Sequence, residues 1–259
     1  MIDIARGLLA SEWTKLRSVQ STYLSLLFAA VATVGVSLLG GHAYSSRWDQ
    51  MSPADRADFD PISTSLSGLI IAQLALAVLG ALAMSSEHTT GMIRTTFAAV
   101  PVRRGVLAAK VAVAGMLAFL AGEVISVVAF LAGQAMLSGR RLGVSLADPE
   151  ALRAVLAAGF YLVVVTVVGL ALGAIIRHTA GAVAALFGLL LIVPQLVLAL
   201  PASWRNTASG YLLSTAGAQL TSRTPDPSFP GVTGSLAVCV AWMIVGLGVA
   251  GVLITRRDA

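Results

Sequence analysis

Glu123 is the one formally charged residue near the middle of a long apolar stretch in this chain. An acid at that depth costs about 2.5 kcal/mol or more to insert, so it is a functional candidate by default, either in a substrate path or in proton coupling. Gln73, on another apolar stretch, or Gln134, on the same one, could partner it. Around it, catalytic chemistry has little to stand on. His42, His88 and His178 fall in three separate loops, the first on one side of a membrane and the others on the opposite side, which excludes a shared metal site. No histidine accompanies a serine or cysteine at depth, which argues against an intramembrane serine protease. Lys15 and Lys110 are the only lysines, and neither belongs to a Gly-Lys-Ser/Thr phosphate loop. Any ATP-driven work therefore needs another polypeptide. No stretch carries arginine at every third position, as a voltage sensor would.

A second cluster of informative residues runs from Ser85 to Lys110, reading SSEHTTGMIRTTFAAVPVRRGVLAAK. Gly91 breaks the helical pattern. Met92, Ile93, Thr96 and Phe97 then form an apolar ridge on a short helix, Pro101 stops it, and Arg103, Arg104 and Lys110 anchor the return at the level of lipid phosphates. A short rigid helix exposing Met and Phe suits the docking of a soluble partner; the plainer reading is a surface loop whose apolar residues dip into lipid.

Six apolar runs must position these residues: near Ser21 to Gly41, Leu66 to Ser86, Val106 to Leu137, Ala151 to Ile176, Thr179 to Leu200 and Gly234 to Thr255. About 20 apolar residues span a bilayer as a helix, because a helix satisfies its own backbone in lipid. With 57% hydrophobic and 11% charged residues, a soluble core could not hide six such runs in 259 residues. The fold class is thus an all-α membrane protein, one transmembrane domain over residues 1–259. Asp3 and Glu12 precede the first run, which is too long for a signal sequence, so no cleavable leader is expected. With the N-terminus in the cytoplasm, the inside segments hold ten Lys and Arg against four acids, a net of +6, while the outside segments balance at seven against seven. The basic excess is an inside signal and puts both termini in the cytoplasm; it is not a nucleic-acid footprint. Cys239, the only cysteine, lies in the sixth run and says nothing about redox compartment.

Residues 1–18 read as an interfacial amphipathic helix. Ile2, Ala5, Leu9, Trp13 and Leu16 draw one apolar stripe, with Arg6, Lys15 and Arg17 off it to meet lipid phosphates. Ser52 and Asp148 read as N-caps, each followed by proline at the first helical position. Arg177 and His178 make so tight a connection that the fourth and fifth helices must be antiparallel neighbours. Pro194 should kink the fifth run. Residues 201–233 read as an extracellular segment of short helices resting on the outer face, with Trp204 near the membrane surface, ending in a turn rich in proline. Gly169 and Gly173 form a GxxxG pair, weak evidence by itself of close helix contact.

The whole chain resembles the small six-helix permease subunits of ABC type-2 exporters, of the actinobacterial sort paired with a separate ATPase. Four pieces carry the resemblance: ASEWTKLRS near the N-terminus, EHTTGMIRTTFAAVPVRR after the second run, the long segment before the last run, which is similar to the family's re-entrant or outer helices, and the ending TRRDA. The resemblance implies that residues 87–105 are a cytoplasmic coupling loop seated on the ATPase. Glu87, Gly91, Met92, Arg94, Phe97, Pro101, Arg103 and Arg104 become its contact residues, with Glu87 pairing to a base of the ATPase or of the elbow helix. Glu12, Trp13, Lys15 and Leu16 become the elbow helix, which slides as the ATPase closes. It further implies a bacterial cell membrane, a second permease subunit in a homo- or heterodimer, contact with membrane lipid, and no cofactor on the chain itself, ATP and magnesium residing on the partner. The function expected is the export path for a hydrophobic substrate, with Glu123 as its candidate residue. Two alternatives stay open: a non-transporting sensor or assembly subunit, and a proton-coupled carrier using Glu123.

Overall fold

The computed structural model describes residues 2–100 and 102–256. The elements, in chain order, are α1 (Ile2–Ser18), α2 (Gln20–Arg47), a 3-10 turn (Trp48–Gln50), α3 (Pro53–Ala57), α4 (Pro61–Ser65), α5 (Leu69–Thr89), α6 (Met92–Ala99), α7 (Arg103–Ser138) and α8 (Pro149–Ile176). They continue with α9 (Thr179–Phe187), a π turn (Gly188–Ile192), α10 (Val193–Leu198), α11 (Ala202–Gly210), α12 (Leu213–Thr221) and α13 (Val232–Arg256). No strand occurs among the described residues. Six helical segments are long and apolar enough to span a membrane: α2 with its 3-10 turn, α5, α7, α8, α9 through α10, and α13.

The expected starts are built as read. Ser52 Oγ accepts the Asp55 N–H at 3.1 Å and Asp148 Oδ1 accepts the Glu150 N–H at 2.8 Å, each ahead of a proline whose missing N–H costs the first turn nothing. The α8–α9 link is a two-residue reversal. Arg177 sits at φ 60° and donates its N–H to the Gly173 carbonyl, and His178 Nδ1 accepts the Gly181 N–H, so the fifth span returns beside the fourth.

α8 is the central helix, with most of its side chains buried against α5, α7, α12 and α13. Its tightest contact is with α5. A methyl added at Gly80 would sit 2.0 Å from the Thr166 carbonyl oxygen. One at Gly169 would sit 2.1 Å from that of Ala77, and one at Gly173 2.5 Å from that of Ala81. Backbone lies on backbone along this seam, which only glycine permits, and dispersion over so close a contact is what holds helices together where lipid removes the hydrophobic drive. α2, α9–α10 and α13 instead turn Leu24, Phe28, Val31, Ile192, Leu196 and Ile244 outward, as helices facing acyl chains do.

The segment between the fifth and sixth spans departs from the outer-face reading and takes the re-entrant form that the resemblance also implied. Trp204 is exposed, but α12 does not rest on an outer surface: Leu213, Ala216, Gly217, Leu220 and Thr221 are buried against α8 and α13. The Trp242 Nε1–H donates to the Tyr211 carbonyl at 3.0 Å. Trp242 lies ten residues into α13, about 15 Å along its axis. The α11–α12 hairpin therefore re-enters the bundle. Small residues make this possible, since Gly217 packs directly on the Tyr161 ring. Its far end is tied down by Arg153 donating to the Leu220 and Ser222 carbonyls (3.0 and 2.6 Å), by Arg223 Nε to Glu150 (2.8 Å), and by the Arg223 N–H to Asp60 (2.8 Å).

Gly169→Val should force α5 off α8 and lower the apparent melting temperature in detergent, by an overpacking penalty of at least about 1–3 kcal/mol. Gly35→Ala, at a position with open space around it, should not lower it. Equal melting curves for the two variants would remove the seam from its place in the account.

Candidate functional site

Both lysines of the chain meet two of its four glutamates at the end of the bundle that carries α1 and α6. Glu12 and Lys15 stand three residues apart on α1, and so on one face of it. Glu87 lies in the last turn of α5, and Lys110 in the second turn of α7. Because α5 and α7 run antiparallel with α6 between them, Glu87 and Lys110 come level. Lys110 Nζ donates to Glu12 Oε2 at 2.6 Å, to Glu87 Oε1 at 2.6 Å and to the Ala83 carbonyl at 3.3 Å, which uses all three of its protons. Lys15 Nζ donates to Glu12 Oε1 at 2.7 Å and to Glu87 Oε1 at 2.8 Å. The four charges sum to zero. Glu12, Glu87 and Lys110 are 2–3% exposed, so the cluster is inside the protein while Lys15 reaches its edge. Burial opposes the charge on Lys15, but the hydrogen bonds and fields of Glu12 and Glu87 outweigh it and hold its pKa above the ordinary lysine value. Its contribution to stability is present throughout the neutral range and is lost only as pH rises through that raised value.

This arrangement reassigns several residues. Glu87 belongs to α5 rather than to the connecting loop, because the helix runs on to Thr89 before Gly91 turns the chain at φ 73°. Its carboxylate pairs with Lys15 of α1, the second of the two expected kinds of partner, and with Lys110 of α7. Lys15 and Lys110 were expected at lipid phosphates; both turn inward, since two buried carboxylates without cations would be prohibitive. Leu9 and Trp13 are exposed and form an outward-facing apolar stripe, whereas Leu8 and Glu12 make the protein-facing side and Leu16 is half-buried between them.

The ridge on α6 also divides. Ile93 is buried, and Phe97 is half-buried under the Arg103 guanidinium, 5.3 Å from the ring centroid. Arg103 donates as well to the Ile254 carbonyl at the end of α13. Met92, Arg94, Thr95 and Ala98 are the exposed ones among the described side chains of α6, and Arg104 is exposed at the start of α7. Pro101 lies outside the described residues. Leu8, Val106 and Ala109 pack with Phe97 and Val100, so α1, α6 and α7 form one small core beside the charge cluster.

A family model described as ABC-2 family transporter protein matches residues 8–195. The chain belongs to that family. No curated protein matches it. In this ABC-2 transporter protein the match begins inside α1 and takes in the charge cluster, α6 and five spans up to Gln195.

Glu123 stands apart from the cluster. It lies between α7 and α8, where a methyl at Gly159 would come 2.2 Å from its Oε1, and that oxygen is buried without a hydrogen-bond partner. Neither expected partner reaches it. Gln134 donates to the Pro61 carbonyl and Ser65 Oγ, both at 3.2 Å, and accepts the Val144 N–H at 2.7 Å; Gln73 accepts from the Tyr161 hydroxyl. Lys110 is the functional residue that sequence reasoning placed wrongly. The signal was available: with two lysines in the chain, one of them seven residues inside an apolar helix, a carboxylate partner was required.

Lys110→Met should cost about 3–5 kcal/mol, since it leaves a buried carboxylate uncompensated. Lys15→Met, at the exposed edge, should cost about 1 kcal/mol or less. Thermal unfolding of both in the same detergent checks the order; a reversed order would contradict the assignment of the buried partner.

Proposed function

We propose that this ABC-2 transporter protein is the permease subunit of an exporter driven by a separate ATPase. Its lysine- and arginine-rich ends lie in the cytoplasm of a bacterial cell, as the basic excess at the α1 and α6 end favours. ATP and magnesium act on the partner, and a second permease subunit completes the path. The observation that carries the reading is the buried cluster that fastens the elbow helix to the second and third spans directly beside α6.

In this reading α6 is the coupling helix. Met92, Arg94 and Thr95 meet the ATPase, and Gly91 gives the turn that presents them. Ile93, Phe97 and Arg103 anchor α6 to the bundle, so a push on its exposed face reaches α7 and α13 rather than bending a loop. Glu87 transmits within the chain: a displaced α6 moves the end of α5, and the shared ion pairs oblige Glu12 and Lys15 to follow, which moves the elbow helix. Such a device works only if nucleotide-bound ATPase favours one arrangement of these contacts over another.

The test is capture of the tagged protein from native membranes in mild detergent, with ATP hydrolysis measured in the eluate. The expected result is a co-purifying ATPase whose activity falls at least about tenfold when Met92→Glu and Arg94→Glu are combined, with melting temperature unchanged; that loss corresponds to about 1.4 kcal/mol of contact free energy. An eluate without hydrolysis, even after cross-linking, would replace this reading with the sensor or carrier.

A further inference from the structure

The fifth span is irregular at depth. Pro194 has no N–H to close a bond to the Leu190 carbonyl, and the preceding turn is wide, with the Val193 N–H reaching back to the Gly188 carbonyl. Single π turns of this kind gather at functional sites. Irregular backbone at membrane depth is tolerated only where protein buries it or where it lines a cavity. A half-open cavity of about 360 Å³ lies there, bordered by the start of α5, the middle of α8, the π turn with α10, and the re-entrant α12. That volume falls within the range of about 300–1,000 Å³ typical of small-molecule sites.

The lining has a definite chemistry. Its polar groups include Ser67, Gln73, Tyr161, Gln195, Ser214 and Thr221, set among leucines and Ile70. No acid, base or histidine lines it, unlike the cavity beside the charge cluster, which is lined by Glu12, Lys15, Glu87 and Lys110. The Tyr161 hydroxyl donates to Gln73 Oε1, which fixes the amide so that its two N–H groups remain for a guest. Tyr161 is buried, and its ring seats Gly217, so one residue both lines the cavity and sets the wall that α12 makes. A charged guest would be desolvated here with no counter-ion, at a cost of several kcal/mol. A hydrocarbon would leave the N–H groups of the buried Gln73 amide unpaired.

We propose that this cavity binds the cargo, and that the cargo is an uncharged amphiphile bearing hydroxyl or amide groups. The inference rests on the transport reading for the word cargo, and it replaces a merely hydrophobic substrate with one that must hydrogen-bond. The binding site it names stands on the cavity alone. Glu123 lies outside it.

The test uses the full chain in nanodiscs, with Cys239→Ala to remove the native thiol and Ser214→Cys or Ser67→Cys to report. Three methanethiosulfonates are compared, carrying a hydroxyethyl, a trimethylammonium-ethyl and a sulfonatoethyl group, each rate normalised to a free thiol. The neutral reagent should react at least tenfold faster than either charged one. Hexyl glucoside should then slow it several-fold, while hexyltrimethylammonium and hexanoate, with the same tail, should not. Tyr161→Phe or Gln73→Asn, in variants that keep their elution profile, should abolish the protection. Equal entry of charged reagents, equal protection by all three hexyl probes, or no labelling at either position would overturn the proposal. No ATPase is needed. A failure here with ATPase capture intact removes the cargo class and leaves the permease reading, whereas success here with no ATPase captured leaves a binding site without its motor.

Discussion

The backbone contact between α5 and α8 is the constraint on which the rest of the protein depends. Lipid offers helices no hydrophobic reason to associate, so close approach has to supply the attraction. Gly80, Gly169 and Gly173 let carbonyl oxygens meet α-carbons along this seam. Everything of chemical interest hangs from the two helices it joins. α5 carries Gln73 at one end and Glu87 at the other; α8 carries Tyr161 and, at its start, the residues that hold the re-entrant hairpin.

The two polar sites follow different electrostatic rules. At the α1 end, four full charges balance to zero, three of them buried, an arrangement costly to assemble and costlier to break at a buried member. At the other end, dipoles without net charge line a space. The first is suited to fixing α1, α5 and α7 relative to one another. The second is suited to a guest that must enter and leave, since neutral hydrogen bonds are worth roughly 0.5–1.5 kcal/mol each and release readily.

Much of this was legible in the sequence where local rules decide. The six spans, the Ser52 and Asp148 caps and the tight Arg177–His178 reversal depend on hydropathy and neighbours within four residues. The rest depends on register between helices distant in sequence. Gly169 and Gly173 formed a visible pair, but its partner Gly80 had no pattern of its own. Lys110 was read with Arg103 and Arg104 as a surface base, though it stands seven residues deeper in an apolar helix. Glu123 drew attention by being alone, and alone is how it is found. The hairpin of α11 and α12 looked superficial because its composition is mixed; the small residues that let it enter are the same ones that weaken its apolar signal.

Gly80 stands seven residues from Gln73 and seven from Glu87. At about 100° per residue, the two ends of α5 point within about 40° of one another, so both sites lie on one side of a stiff rod some 21 Å apart. α8 holds that rod along its length rather than at one point, through Ala77, Gly80 and Ala81, so neither end of α5 can shift without disturbing the packing that the other end relies on.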